Sequence, residues 1–238
     1  MTEGSKRPQE SGSIEFSKEN LVRFVWFDVV NLRETDKKNL IGAQRDILKT
    51  PEAFMDKGGA GSIYRLSSNS ELCLKVLHPH KDTEERQKGI DFIAREANIT
   101  ALLNDVQVEG VRSPRCAGYW KGQSSQVSAI VLEHLDALNL QRVLNREFMF
   151  PSTFDPDIFL DTLHDYMEYL HDEKKIVHQD LFPRNIMIDI ETGLPRVIDF
   201  GDAAVLHNME RREAELCRRK DTDRLNELDK ILSNIDKT

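Results

Sequence analysis

The sequence predicts an α+β fold: a small antiparallel sheet carrying one helix, followed by a reduced, mostly helical half. Three observations predict it. Two short apolar runs at residues 62–66 and 72–77, separated by the polar stretch SSNSE, read as a hairpin. Residues 81–104 then set Ile90, Ile93, Ala94, Ala97 and Leu102 at helical spacing. Beyond residue 136 the apolar period is mainly helical, interrupted by one further hairpin near residue 190.

Taken in order, residues 1–18 are rich in Ser, Gly, Glu and Lys and cannot bury enough apolar surface to offset ordering entropy, so a disordered tail is expected. Residues 19–50 form an expected N-terminal helical extension. Its Phe24, Val25, Trp26, Phe27, Val29 and Val30 are too dense for a solvated face and should cover the domain. A strand is expected over 127–132, then a short helical pattern through Leu144. Asp155, Pro156 and Asp157 mark a helix start, with proline in the first turn and carboxylates at the positive end of the dipole. That helix should run to about His171, burying Phe159, Leu163, Tyr166, Met167 and Leu170. The second hairpin joins 186–190 to 196–198 through Glu191, Thr192 and Gly193, and the charged remainder after Gly201 has apolar residues for one or two packing helices.

With 238 residues, 39% of them hydrophobic, the chain can bury a substantial core as one domain or two small lobes. A net charge of -8 supplies no uniform basic field, so nucleic acid is not an expected partner. Cys73, Cys116 and Cys217 are odd in number and lack ligand spacing, which argues against a disulfide framework or a zinc site and for a reducing compartment. The early apolar stretch is interrupted by Arg23 and Asp28, so no membrane segment is expected and the location is read as cytoplasmic.

The chemistry-bearing signal is IVHQDLFPRNIMID followed by VIDFGDA. His178, Asp180 and Asn185 hold the spacing H-x-D-x-x-x-x-N, and Asp199, Phe200 and Gly201 supply D-F-G after an intervening hairpin. Each residue alone could cap a turn or end a strand; six identities in order make coincidence a poor explanation. In these motifs the sequence resembles the protein-kinase-like superfamily. The resemblance spans roughly residues 54–205 and implies a two-lobed fold over residues 51–238, with an N-lobe at about 51–132 and a C-lobe at about 136–238. It implies ATP and Mg2+ as cofactors, Asp180 beside the acceptor hydroxyl, and Asn185 and Asp199 as magnesium ligands.

Upstream, DKGGAGSIYRL is similar to a nucleotide-covering Gly-rich loop, with Gly58, Gly59 and Gly61 close to the phosphates and Ile63 roofing the adenine. Asp56 stands where that pattern has its first glycine, setting a carboxylate near polyanionic phosphate. ELCLKVL resembles the strand that carries the phosphate lysine, with Cys73 facing adenine and Lys75 as the lysine. Glu96, on the expected helix, is the implied partner of Lys75. IVLEHLD resembles the hinge, with Leu132 as gatekeeper and the backbones of Glu133 and Leu135 bonding adenine.

Two departures narrow the reading. Gln179 replaces the arginine that would read a phosphorylated activation loop, so control by loop phosphorylation is not expected. After D-F-G there is no A-P-E sequence, as in compact Rio-type and bacterial minimal kinases, and Phe182 replaces the lysine common two residues after the catalytic aspartate. The HQDLFPRN and IDFGDA phrasing is also similar to aminoglycoside and choline phosphotransferases. The expectation is a serine/threonine protein kinase acting on a protein substrate, the chain itself included. The alternatives are a kinase of a small-molecule alcohol and a pseudokinase interaction module.

Overall fold

The computed structural model describes residues 23–26, 54–57, 61–66, 70–77, 83–121 and 128–235. The expected tail over 1–18, most of the expected extension over 19–50, and Gly58 and Gly59 lie outside the described residues. Two compact units form, one from residues up to 104 together with 115–134, the other from 105–114 and 135–235.

The first unit is built on a six-stranded antiparallel sheet in the order β1-β5-β6-β4-β3-β2, from β1 (Arg23–Trp26), β2 (Phe54–Lys57), β3 (Gly61–Arg65), β4 (Leu72–Leu77), β5 (Cys116–Lys121) and β6 (Ala129–Glu133). The predicted hairpin is β3–β4, in a register that sets Ile63 opposite Lys75. Gly61 opposes Leu77, and a Cβ there would lie 2.4 Å from the Val76 carbonyl oxygen, so close approach of two strands alone demands glycine. Residues 23–26, at the start of the expected N-terminal extension, form a strand. RFVW is rich in β-branched and aromatic side chains, and β5 offers it an edge to pair with.

The helix α1 (Thr83–Leu102) follows β4 and buries Ile93, Ala94, Ala97 and Ala101 with Leu77, Cys116, Tyr119 and Ile130 of the sheet. Alanines on this face let the helix approach the strands closely. Burial pushes the Cys73 thiol up to about 12 and raises that of Cys116 further, so both act as small apolar side chains.

In the second unit α2 (Leu140–Leu144) and α3 (Pro156–Tyr169) stand with a three-stranded sheet in the order β10-β9-β7 and a two-stranded sheet β11-β8. The strands are β7 (Ala137–Asn139), β8 (Ile176–Val177), β9 (Ile186–Asp189), β10 (Pro195–Val197) and β11 (Ala204–Val205), and α4 (Arg211–Leu232) ends the unit. Asp155 caps α3 as expected, its side chain accepting from the N–H groups of Asp157 at 3.0 Å and Ile158 at 3.1 Å. All five residues of the predicted stripe on and beyond α3 are fully buried. The helix does not simply stop near His171; it widens into a π-turn over Leu170–Lys174, closed by Lys175 in the left-handed region.

Gly193 turns the β9–β10 hairpin at φ +73, where a Cβ would meet the Thr153 carbonyl oxygen at 2.2 Å. Residues 105–114, expected within the N-lobe, belong to the second unit because their polar groups are satisfied there. The Gly110 carbonyl accepts from Arg196 at 2.6 Å, and the Ser113 hydroxyl bonds Tyr166 Oη at 2.7 Å. Among the described residues no helix is long and apolar enough to cross a membrane.

Candidate active site

The predicted site residues fall into two internally assembled groups. In the first unit Lys75 lies on the central strand β4 and Glu96 on the buried face of α1. Lys75 Nζ donates to both Glu96 carboxylate oxygens, at 2.7 and 2.9 Å, and the two side chains are only 8% and 2% exposed. Taking two charges out of water is costly, and close bidentate geometry is what offsets that cost. Ile63 lies on β3 opposite Lys75, and Cys73 precedes Lys75 by two residues on β4; Cys73 Sγ donates to the Glu133 carbonyl at 3.7 Å. The Glu133 N–H is held by the Arg115 carbonyl at 2.8 Å, while its side chain accepts from the Arg115 N–H at 3.1 Å. Asp56 is exposed, and its carboxylate accepts from the Lys57 N–H at 2.8 Å. Leu135 is half-buried and belongs to the second unit.

The second group is assembled by the β9–β10 hairpin. Asn185 immediately precedes β9 and Asp199 follows β10 by two residues, so antiparallel pairing of Ile186 with Val197 delivers both to one end of the hairpin. The Ile198 N–H donates to the Asn185 carbonyl at 2.9 Å and extends that pairing. Asp199 has φ 62 and Gln179 φ 66, both in the left-handed region. Such conformations cost about 1–2 kcal/mol for side chains with a Cβ and persist only where surrounding bonds impose them.

Those bonds are visible around the loop at 178–185. His178 is fully buried; its Nε2–H donates to the Ile198 carbonyl at 3.0 Å, its Nδ1 accepts from the Asp180 N–H at 3.3 Å, and its ring packs against Phe200 with centroids 4.8 Å apart. The Gln179 side chain donates to the Asp202 carbonyl at 3.0 Å and accepts from the Cys217 thiol at 3.4 Å. Asp221 of α4, also fully buried, accepts from the N–H groups of His178 and Gln179 at 2.7 Å each, and from His171 Nε2 at 3.0 Å. Asn139, the cap of α2, donates to the Arg184 carbonyl at 2.7 Å.

Sequence reasoning missed Asp221, which stands among charges in RRKDTDRL. The available signal was its period: Asp221, Leu225, Leu228 and Leu232 share one face of α4, all buried.

Asp180 is 23% exposed in its side chain. It receives Arg184 Nη2 at 2.7 and 2.9 Å on its two oxygens, and Asn185 Nδ2 at 2.7 Å on Oδ2. An ionised carboxylate has about four lone-pair directions. Three are filled, and one on Oδ1 stays available to an incoming donor. Asn185 turns both amide hydrogens onto Asp180, donating to its backbone carbonyl at 2.8 Å as well. The Asn185 side-chain oxygen, on a residue almost fully buried, accepts nothing among the described residues.

That orphaned oxygen and the Asp199 carboxylate are hard donors of the type magnesium takes. Among the described residues no group of three or more His, Cys, Asp and Glu side chains is gathered as a metal cage. Magnesium dehydrates reluctantly and is commonly bound by one or two protein oxygens plus substrate phosphates, so the donor set fits an ion that arrives with a nucleotide.

Comparison with known proteins follows the same lines. A serine/threonine-protein kinase, PknA of Nostoc sp. (strain PCC 7120 / SAG 25.82 / UTEX 2576), is 27% identical over 170 residues, covering 69% of this chain and 28% of the relative. Glycogen synthase kinase 1 of Pyricularia oryzae is 24% identical over 191 residues, covering 79% and 46%. The chain thus spans less than half the length of these relatives. The crystal structure of WbdD superposes with a TM-score of 0.51 at 19% identity, covering 74% of this chain and 37% of that one, and shares the fold. The family model described as Protein kinase domain matches residues 52–220, well over half of the sequence. On its motifs, its sheet-and-helix architecture and this match, the chain belongs to the protein kinase domain family.

Proposed function

We propose that the chain is an ATP- and magnesium-dependent phosphotransferase that phosphorylates serine or threonine hydroxyl groups of proteins. The observation that carries the reading is the state of Asp180: fixed by Arg184 and Asn185, yet with one lone-pair direction of Oδ1 unfilled. A hydroxyl donating there is oriented for attack, and its proton has an acceptor at Oδ1 as the phosphoryl group is transferred. Magnesium, held by Asn185 Oδ1 and Asp199, would supply charge neutralisation on the phosphates. Lys75, steered by Glu96, supplies a further cation toward them, and the water-poor setting of the pair strengthens its field.

Gly58, Gly59 and Gly61 allow the backbone to approach the phosphates; Ile63 and Cys73 form apolar contacts to adenine, and the backbones of Glu133 and Leu135 bond its edge. The Glu133 N–H is engaged with the Arg115 carbonyl and the Glu133 carbonyl accepts from the Cys73 thiol, so both groups are held in place at this strand end. The serine/threonine specificity rests on relatives such as PknA, whose name states it.

The test is incubation of the whole chain with magnesium and γ-labelled ATP, alone, with a protein extract and with a metabolite pool, read by mass spectrometry. Phosphoserine or phosphothreonine that falls by about 10²–10⁴-fold in Asp180→Ala is expected. Labelled small alcohols without labelled protein would move the acceptor to a metabolite. ATP stabilisation without any transfer would make the chain a nucleotide-binding module and end the proposal.

A further inference from the structure

Phe182 follows Asp180 by two residues, and its half-buried ring is shared by two guanidinium groups. The Arg184 Cζ lies 4.3 Å from the ring centroid and the Arg224 Cζ 4.0 Å from it. Arg184 is the residue that grips both oxygens of Asp180; Arg224 projects from α4 one turn beyond Asp221 and pairs with Glu227. We infer that Phe182 and Arg224 are positioning residues, forming with Arg184 a column by which α4 fixes the orientation of Asp180.

Several physical points carry this. Arg184 has a long side chain, 55% exposed, and an exposed ion pair alone holds such a chain weakly. A planar guanidinium lying on an aromatic face loses torsional freedom and keeps its donor edge pointed at the carboxylate. Two cations on one ring would repel, but each has its own carboxylate, Asp180 for Arg184 and Glu227 for Arg224, so the column is close to neutral. Cys217, Asp221 and Arg224 follow one another at roughly one-turn intervals on α4. They meet the Gln179 side chain, the His178 and Gln179 backbone, and the Phe182 ring in turn. One helix therefore supports the loop on either side of Asp180 in sequence. A lysine at 182 would offer no ring, so the aromatic residue and the arginine two positions later work as a pair.

The inference rests on the proposed role of Asp180, and the experiment separates the two. In the full-length chain, hydrogen exchange is followed at the Phe182 and Asn185 amides, which donate to the Asp180 and Phe182 carbonyls at 2.8 Å each. Arg224→Ala and Phe182→Leu are each expected to speed exchange there about 2- to 5-fold, with Phe182→Tyr unchanged and Arg224→Lys intermediate. The Arg224→Ala and Phe182→Leu double variant should exchange no faster than the faster single, since both break one column. In the transfer assay the same variants should lower kcat by a similar factor with KM for ATP unchanged. Unchanged exchange in the single variants, or multiplying effects in the double, would overturn the column. A wild-type chain that transfers no phosphate would overturn the kinase proposal, while the exchange comparison would still decide the column.

Discussion

Two ion pairs in this molecule have the same N···O length, 2.7 Å, and opposite settings. Lys75–Glu96 is sealed between a strand and a helix in the first unit, with side chains 8% and 2% exposed. Arg184–Asp180 lies open in the second, at 55% and 23%. Distance alone does not set what a pair does. The sealed one has no water to replace a missing partner, so it is a commitment of the fold; the open one has solvent at hand, so losing its partner costs the fold little.

Breaking the sealed pair is therefore the largest effect expected. Glu96→Ala should cost about 3–5 kcal/mol in urea denaturation, because a buried lysine loses its close two-oxygen acceptor; a loss below 1 kcal/mol would erase the contrast. Asp221 extends the comparison to an acceptor without a salt-bridging lysine or arginine. Asp221→Ala strands the His178 and Gln179 N–H groups and should cost about 3 kcal/mol, with Gln179 no longer held at positive φ. Gly193→Ala, a backbone control away from either pair, should cost about 2 kcal/mol from its left-handed φ, and more where the Thr153 carbonyl cannot yield. Arg184→Ala should change global stability by less than about 1 kcal/mol, and that difference should shrink further in high salt.

The smallest expected effect is one of pH. Burial acts to raise the proton affinity of Asp189, but hydrogen bonds from Thr192 and the Arg196 guanidinium outweigh it and hold the carboxyl below its ordinary value of 3.8. A depressed carboxylate contributes stability that is fully present above its unfolded value and is lost as pH falls through the folded one. Asp189→Asn should accordingly flatten the stability profile below pH 3.8 and leave it parallel to wild type above; equal acid slopes would remove Asp189 from the acid response.

The sequence showed what is local. Lys75, Asp180, Asn185 and Asp199 sit in short motifs whose internal spacing is enough to pick them out, and the α3 stripe is visible because five large apolar residues repeat at one period. It hid what depends on distant partners. Strand β5 went unread because CAGYWK is short, contains glycine and is irregular, with a register shift between Cys116 and Gly118. Only pairing with β6 and β1 makes it a strand. Asp221 and Arg224 look like surface charges because α4 is charged on most of its circumference, and their partners lie more than forty residues away. The π-turn at Leu170–Lys174 depends likewise on a remote residue: Arg218 donates to the His171 carbonyl at 2.6 Å.

The assignment of residues 105–114 to the second unit bears on how this protein can be dissected. The polypeptide leaves the first unit after Asn104, returns at Arg115 and leaves again after His134, so no single cut yields either body whole. A fragment beginning at Leu135 would be born with the Arg196 guanidinium missing the Gly110 carbonyl and the Tyr166 hydroxyl missing Ser113. Excised that way it should be a poor folder, and a peptide spanning 105–114 supplied in trans is the missing piece.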